Sequence, residues 1–225
     1  MIRKMATVYG YTRDWLLNLG LLKKLRAERY AMELTFLQSQ VDPQFLFNSL
    51  NNLCALALDE GSPKTADGIA KLGTLMRYNL QDAQAELVPL SKEINYLEKY
   101  IELQQLHTSP QTELEFNLQI NKHGQYEGEK IAPMLLIPFV ENAFKYGLSS
   151  IVPTRIYIGL ELSNDRLMLN VENDIVSMLQ DRVNKGFGLE TVKKRLALRY
   201  PGRHQLLIRE EDGVFAIQLE IDLRS

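Results

Sequence analysis

The chain has 225 residues, 45% hydrophobic and 24% charged, with 26 basic and 28 acidic side chains and a formal net charge of -2. That balance excludes wholesale disorder and any strong field drawing the whole chain to nucleic acid or an anionic membrane. A single cysteine, Cys54, excludes an internal disulfide framework and a cysteine-rich zinc site, and the three scattered histidines, His107, His123 and His204, form no metal-binding pair.

At roughly 150 residues per domain the length corresponds to about one and a half domains. Tyr30, Leu34, Leu37 and Val41 share one helical face, and the stripe runs on through Phe45, Leu46, Leu50 and Leu53. Pro43 lies inside that stripe and predicts a kink near Gln44. Gly61-Ser62-Pro63 ends the helix, and a second follows with Ile69, Leu72, Leu75 and Met76 on one side. After Val88-Pro89-Leu90, Ser91 is the expected N-cap of a third helix carrying Ile94, Leu97 and Ile101. A helical hairpin this apolar needs a partner, and two copies pairing into a four-helix bundle satisfy it. The longest apolar run, Ala132 to Val140, is broken by Pro133 and Pro138 and falls short of the ~20 residues of a membrane span. No signal-peptide core follows the basic start. The chain therefore reads as cytoplasmic, either on its own or as the soluble end of a membrane protein.

Near residue 112 the hydrophobic period changes from 3.6 to 2. Alternation over Leu114 to Ile120, Ile156 to Leu162, Leu167 to Val171 and Phe215 to Leu223 predicts half-buried strands, and His204 begins another. Asn164-Asp165 is a turn signal. Helices are expected over about Pro133 to Tyr146 and Gly188 to Tyr200. Strands and helices mix without βαβ alternation, so the fold class is α+β: a mixed or antiparallel sheet covered by helices on one face. The domain boundary is expected near His107 to Thr112.

Three segments carry chemistry. In Pro138-Phe139-Val140-Glu141-Asn142-Ala143-Phe144-Lys145-Tyr146-Gly147, Glu141 and Lys145 share a helix face with Asn142 about 100° round. Alone, the pair reads as a surface ion pair. As a site, the hard oxygens suit Mg²⁺, the carboxylate acts as a base and the ammonium steadies phosphate. Lys185-Gly186-Phe187-Gly188-Leu189 opens a helix, where glycines let backbone N–H groups approach phosphate, although two glycines are also an ordinary turn. Gln40-Val41-Asp42-Pro43-Gln44-Phe45-Leu46-Phe47-Asn48-Ser49-Leu50-Asn51 is either a kinked core helix or something more. Asn48, Asn51 and Asn52 are poor interior helix residues and ask for a reason.

In this order the three segments resemble the LytS-like sensor histidine kinase family, the branch seen with LytTR-type regulators. The likeness runs from about Leu34 to Leu223. The family pattern has a phosphoacceptor segment Q-x-N-P-H-F-L-F-N-x-L-N, an N-box P-x-V-E-N-A-x-K-H-G and a glycine box G-x-G-L-x-N-x-x-x-R-L, matched by Gly186 through Arg195-Leu196. Leu75-Met76-Arg77-Tyr78 and Tyr200-Pro201-Gly202-Arg203-His204 also fit the branch. The resemblance implies a signalling helix over 1–31, a helical dimerisation and phosphoacceptor domain over 32–109, and a Bergerat-type (GHKL) ATP-binding α/β sandwich over 110–225. It implies Asn142 as Mg²⁺ ligand, Glu141 as the base polarising the phosphoacceptor, and Lys145 on phosphate. Asn173, in Val171-Glu172-Asn173-Asp174, would face adenine, and Gly186 and Gly188 would shape the lid. ATP and Mg²⁺ are the implied cofactors. A homodimer and a response regulator of LytTR type are the implied partners, with no direct nucleic acid, in the cytoplasmic part of an inner-membrane protein attached through segments upstream.

The phosphoacceptor histidine of the pattern is replaced by Gln44. A neutral imidazole nitrogen has a free lone pair to attack phosphorus; a glutamine amide nitrogen does not, although Gln keeps similar hydrogen-bonding capacity. Tyr146 replaces the N-box histidine, His107 an expected arginine, Thr191 the glycine-box asparagine, and Asn173 the usual adenine-reading aspartate. Autophosphorylation is therefore expected to be absent as the chain stands. Gln44 is either an engineered replacement in a kinase or the natural residue of a pseudokinase acting as a dimeric signalling module. A different Bergerat-type ATPase is disfavoured by the acceptor-like segment itself.

Overall fold

The computed structural model describes residues 42–120, 128–176 and 187–224. The chain divides into two compact units, Met1–Ser49 and Leu50–Ser225. Helix α1 (Pro43–Asp59) begins in the first. Asp42 is its N-cap: Oδ1 accepts the N–H groups of Gln44 at 2.9 Å and Phe45 at 3.3 Å. Pro43 is the first helical residue, where a missing N–H costs nothing. The kink expected near Gln44 needs helix before Asp42, and that stretch, with Tyr30, Leu34, Leu37 and Val41, lies outside the described residues.

The second unit continues through α2 (Pro63–Arg77) and a π-helical turn over Tyr78–Asp82. Strand β1 (Val88–Pro89) leads into α3 (Leu90–Gln105), and β2 (Thr112–Ile120) follows. Then come β3 (Lys130–Ile131), α4 (Ile137–Gly147), β4 (Thr154–Ser163) and β5 (Arg166–Asp174). The described chain closes with α5 (Phe187–Arg199), β6 (His204–Glu211) and β7 (Val214–Asp222).

Two expected helix starts are corrected. Ser91 is not the N-cap of α3; Pro89 is, with no side-chain cap. The β1–β3 pairing sets the entry, because Leu90 N–H bonds Glu129 O at 2.8 Å and the helix begins two residues early. The helix expected from Pro133 begins at Ile137. Pro133 to Leu136 form a turn with Met134 at φ 55°, and side chains from elsewhere take up its backbone groups.

The sheet order is β2-β4-β5-β7-β6, with β2 parallel to β4 and the other neighbours antiparallel. This is the mixed sheet of an α+β fold. Strand alternation sends one set of side chains inward: Phe116, Ile158, Val171, Ile217 and Ile208 stand in one cross-strand row. The other face is polar and cross-linked by Arg155–Glu172 and Arg166–Glu220 ion pairs at 3.4 and 3.0 Å. Leu90, Ile94, Leu97 and Ile101 of α3 share one continuous core with α4 and the inward face of the sheet. No helix among the described residues is long and apolar enough to cross a membrane.

Candidate nucleotide site

Inward positions of β5 are Leu167, Leu169, Val171 and Asn173, so the pleat that buries three aliphatic side chains also buries an amide. Asn173 sits between Ile156 and Phe215 in its cross-strand row and is 2% exposed. Its Nδ2 donates to Asp174 O at 2.9 Å, while its Oδ1 has no partner among the described residues. A buried acceptor left unpaired costs roughly 1–3 kcal/mol, so the position is maintained against a folding cost.

Asn173 lines a cavity of about 180 Å³. Asn142 and Tyr146 of α4 form one wall, Leu189 and Lys193 of α5 another, and Ile175, Ile208 and Phe215 the floor. An apolar pocket with a few convergent polar groups is the form small-ligand sites take. The close approach of α4 to β5 depends on Gly147, where an added Cβ would lie 2.7 Å from Asn173 Cβ and 3.2 Å from Ile156 Cγ1. Two amides, Asn142 and Asn173, thus share an otherwise largely apolar cavity.

Glu141 and Lys145 lie exposed on α4 and are not among the cavity-lining residues. Lys145 Nζ stands 5.0 Å from the centroid of the Tyr146 ring. Glu141 is exposed as a whole residue, yet partial burial of its carboxyl raises it above the ordinary carboxylate value. A group acting as a base is better for that shift. Gly188 lies in the first turn of α5, and a Cβ there would meet open space. Gly186 lies outside the described residues. Gln44 is exposed and its Nε2 donates to Asn48 Oδ1 at 3.2 Å, one turn along α1.

The histidine kinase family model matches residues 32–112. Sensor histidine kinase BtsS of Escherichia coli K12 is 29% identical over 209 residues, covering 92% of this chain and 36% of that protein. Sensor protein LytS of Bacillus subtilis 168 is 37% identical over 114 residues, covering 51% of this chain and 18% of that one. Residues 32–112 therefore match the histidine kinase family, and the chain is similar to LytS-like sensor histidine kinases. It spans about a third of the length of its BtsS relative. Among solved structures, the histidine kinase domain of the Erythrobacter litoralis EL346 blue-light activated kinase aligns at TM-score 0.45 with 13% identity, covering 84% of this chain and 90% of that one.

Asn142 and Asn173 line one cavity, and Tyr146 lines it where the pattern of the resembling kinases has histidine. The sequence did not mark Lys193, Ile208 or Phe215 as site residues. Lys193 follows Leu189 by four residues, hence on the same helix face, and Phe215 is in phase with the inward Ile217 and Leu219. Two other residues hold the site from outside it, Glu93, which the sequence did not mark, and Arg195, known there only as part of the glycine box. Glu93 is fully buried and bonded to the turn before α4, and Arg195 holds the same turn from α5. Glu93 had a signal, since it falls on the apolar stripe of Leu90, Ile94, Leu97 and Ile101.

Proposed function

We propose that the chain is the kinase portion of a two-component sensor and that its cavity binds Mg·ATP. The supporting observation is that Asn142 and Asn173 line one cavity and that Asn173 Oδ1 has no hydrogen-bond partner among the described residues; this oxygen would receive the adenine amine. Asn142, at the cavity wall, would hold Mg²⁺ by its amide oxygen, a hard ligand of the kind Mg²⁺ takes. Lys145 would lie against phosphate and Glu141 would polarise the phosphoacceptor, with Gly186 and Gly188 shaping the lid. Bound Mg·ATP supplies the transferable phosphoryl group; the protein's part is positioning and charge neutralisation. We divide the chain by role into a signalling helix over 1–31, a dimerisation and phosphoacceptor domain over 32–109 and a Bergerat-type ATP-binding domain over 110–225. Leu53 and Leu56, about half exposed on α1, support pairing with a second copy. The partner downstream is a response regulator of LytTR type, and the chain works on the cytoplasmic side of an inner membrane.

As it stands the chain lacks a nucleophile at position 44. Gln44 presents an amide nitrogen hydrogen-bonded to Asn48, with no free lone pair for phosphorus. The experiment is a pair. Millimolar Mg·ATP raises the melting temperature of the chain, because a ligand bound only by the folded state stabilises it. In Gln44→His, label moves from γ-labelled ATP to residue 44 and does not do so in the unaltered chain. Absence of both effects removes the kinase reading. Absence of the first alone with normal dimerisation favours the second reading, a pseudokinase module, for which Gln44 and Tyr146 speak.

A further inference from the structure

The turn from Ala132 to Leu136, which leads into α4, is held almost wholly by side chains from other elements. Met134 N–H donates to Glu93 Oε2 at 3.0 Å, and Leu135 and Leu136 N–H donate to Oε1 at 2.9 and 3.3 Å. Tyr78, in the π-helical turn, donates its hydroxyl to the same Oε2. From the opposite side Arg195 donates to Pro133 O at 2.6 Å and Met134 O at 3.2 Å. Tyr200 OH accepts Ala132 N–H at 2.9 Å.

Glu93 is 0% exposed and its hydrogen-bond partners among the described residues include no cation. Four donors around two oxygens fill the acceptor positions of one carboxylate. Burying a charge this way is expensive unless every lone pair is satisfied, and a hydrophobic residue there would pack with less at stake. The arrangement does something packing alone does not. It ties the orientation of α4, which carries Glu141 and Asn142, to the π-turn that ends α2. Arg195 ties that turn to α5, whose Leu189 and Lys193 form the facing wall of the cavity. π-turns recur where a helix must accommodate a functional constraint.

We propose that Glu93 is a positioning residue for the nucleotide site: through the Met134–Leu136 amides it sets α4, and through Tyr78 it couples that setting to the helical segment Pro63–Asp82. This rests on the Mg·ATP reading of the cavity. Glu93 touches no reacting atom; it acts through the backbone that carries Asn142.

The test uses the full chain and three variants, Glu93→Ala, Glu93→Gln and Tyr78→Phe, below their melting temperatures. Two quantities are read: Mg·ATP affinity by calorimetric titration, and hydrogen exchange of amides 134–147 against those of β7. Glu93→Ala weakens affinity about tenfold (~1.4 kcal/mol) and speeds exchange at 134–147 while leaving β7 unchanged. Glu93→Gln, which keeps an amide oxygen for Leu135 and Leu136, lies between it and the unaltered chain. Tyr78→Phe, which keeps the carboxylate and the ring, shows the same two changes in smaller measure. Unchanged affinity or unchanged exchange overturns the proposal. If Glu93→Ala does not fold, Tyr78→Phe decides by the same two readings. If the unaltered chain fails to bind Mg·ATP, the proposed function falls, and exchange alone judges the positioning role: faster exchange at 134–147 supports it, unchanged exchange overturns it.

Discussion

Gly147→Ala is a test of the cavity's geometry. Gly147 lies outside the left-handed region, so its backbone makes no demand for glycine. On local propensity alone alanine would be favoured by up to about 1 kcal/mol in a helix interior, and by less at the last residue of α4. The tertiary surroundings reverse that sign. The new Cβ would lie 2.7 Å from Asn173 Cβ and 3.2 Å from both Asn173 Nδ2 and Ile156 Cγ1. Asn173 Cβ is fixed to the central strand β5, so α4 must retreat by the better part of an ångström to reach ordinary contact. Overpacking of this kind costs roughly 1–3 kcal/mol, which leaves a net loss of about 1–2 kcal/mol after the propensity gain. For a unit of this size that is a fall in melting temperature of about 2–8 °C. The retreat also moves Asn142 from Asn173, so Mg·ATP should raise the melting temperature less in the variant. Thermal unfolding followed by circular dichroism, with and without nucleotide, reads both. An alanine variant as stable as the parent would refute the reasoning, since it would mean the two elements do not meet at this distance.

Three further outcomes follow from the same geometry. Asn173→Leu, nearly isosteric, removes the unpaired oxygen, so the ligand-free protein melts at the same temperature or higher while its stabilisation by Mg·ATP disappears; loss of stability in the ligand-free state would count against an orphaned acceptor. Tyr200→Phe strands the Ala132 N–H in a fully buried position and should cost about 1–3 kcal/mol in urea unfolding, with little effect if the amide finds water. Burial raises the phenols of Tyr78, Tyr96, Tyr100 and Tyr200, that of Tyr100 from 10.0 to about 12. Their folded values exceed the unfolded value, so their contribution to stability is full below pH 10 and falls as pH rises above it, that of Tyr100 being lost by about pH 12. Phenolate absorbance should therefore show these four titrating together with unfolding, and early, non-cooperative ionisation would contradict their burial.

Much of this architecture was legible in the chain because it depends on period. The change from 3.6 to 2 near residue 112 marks the passage from helices to sheet, and the alternation through Leu167, Leu169 and Val171 already puts Asn173 on the buried face. The helix starts at Ser91 and Pro133 were misread because neighbours in space decide them. Leu90 N–H is taken by Glu129, and the Met134–Leu136 amides by Glu93, so each helix begins where its backbone groups run out of outside partners. Glu93 itself was visible as a charge on an apolar stripe, but a stripe cannot say what the charge meets.

The sequence by itself determined the order of the main helices and of the five long strands, the inward set of four of those strands, the family resemblance and the missing nucleophile at position 44. These are local or periodic properties, written in the spacing and chemistry of the residues. Only the tertiary structure decided that Asn142 and Asn173 share a cavity, that Gly147 is glycine for the sake of a strand on the far side of a loop, and that the turn before α4 hangs on a carboxylate about 40 positions away along the chain. Those facts depend on which side chains meet across the fold, and a hydrogen bond or a steric contact between distant residues leaves no period behind to be read.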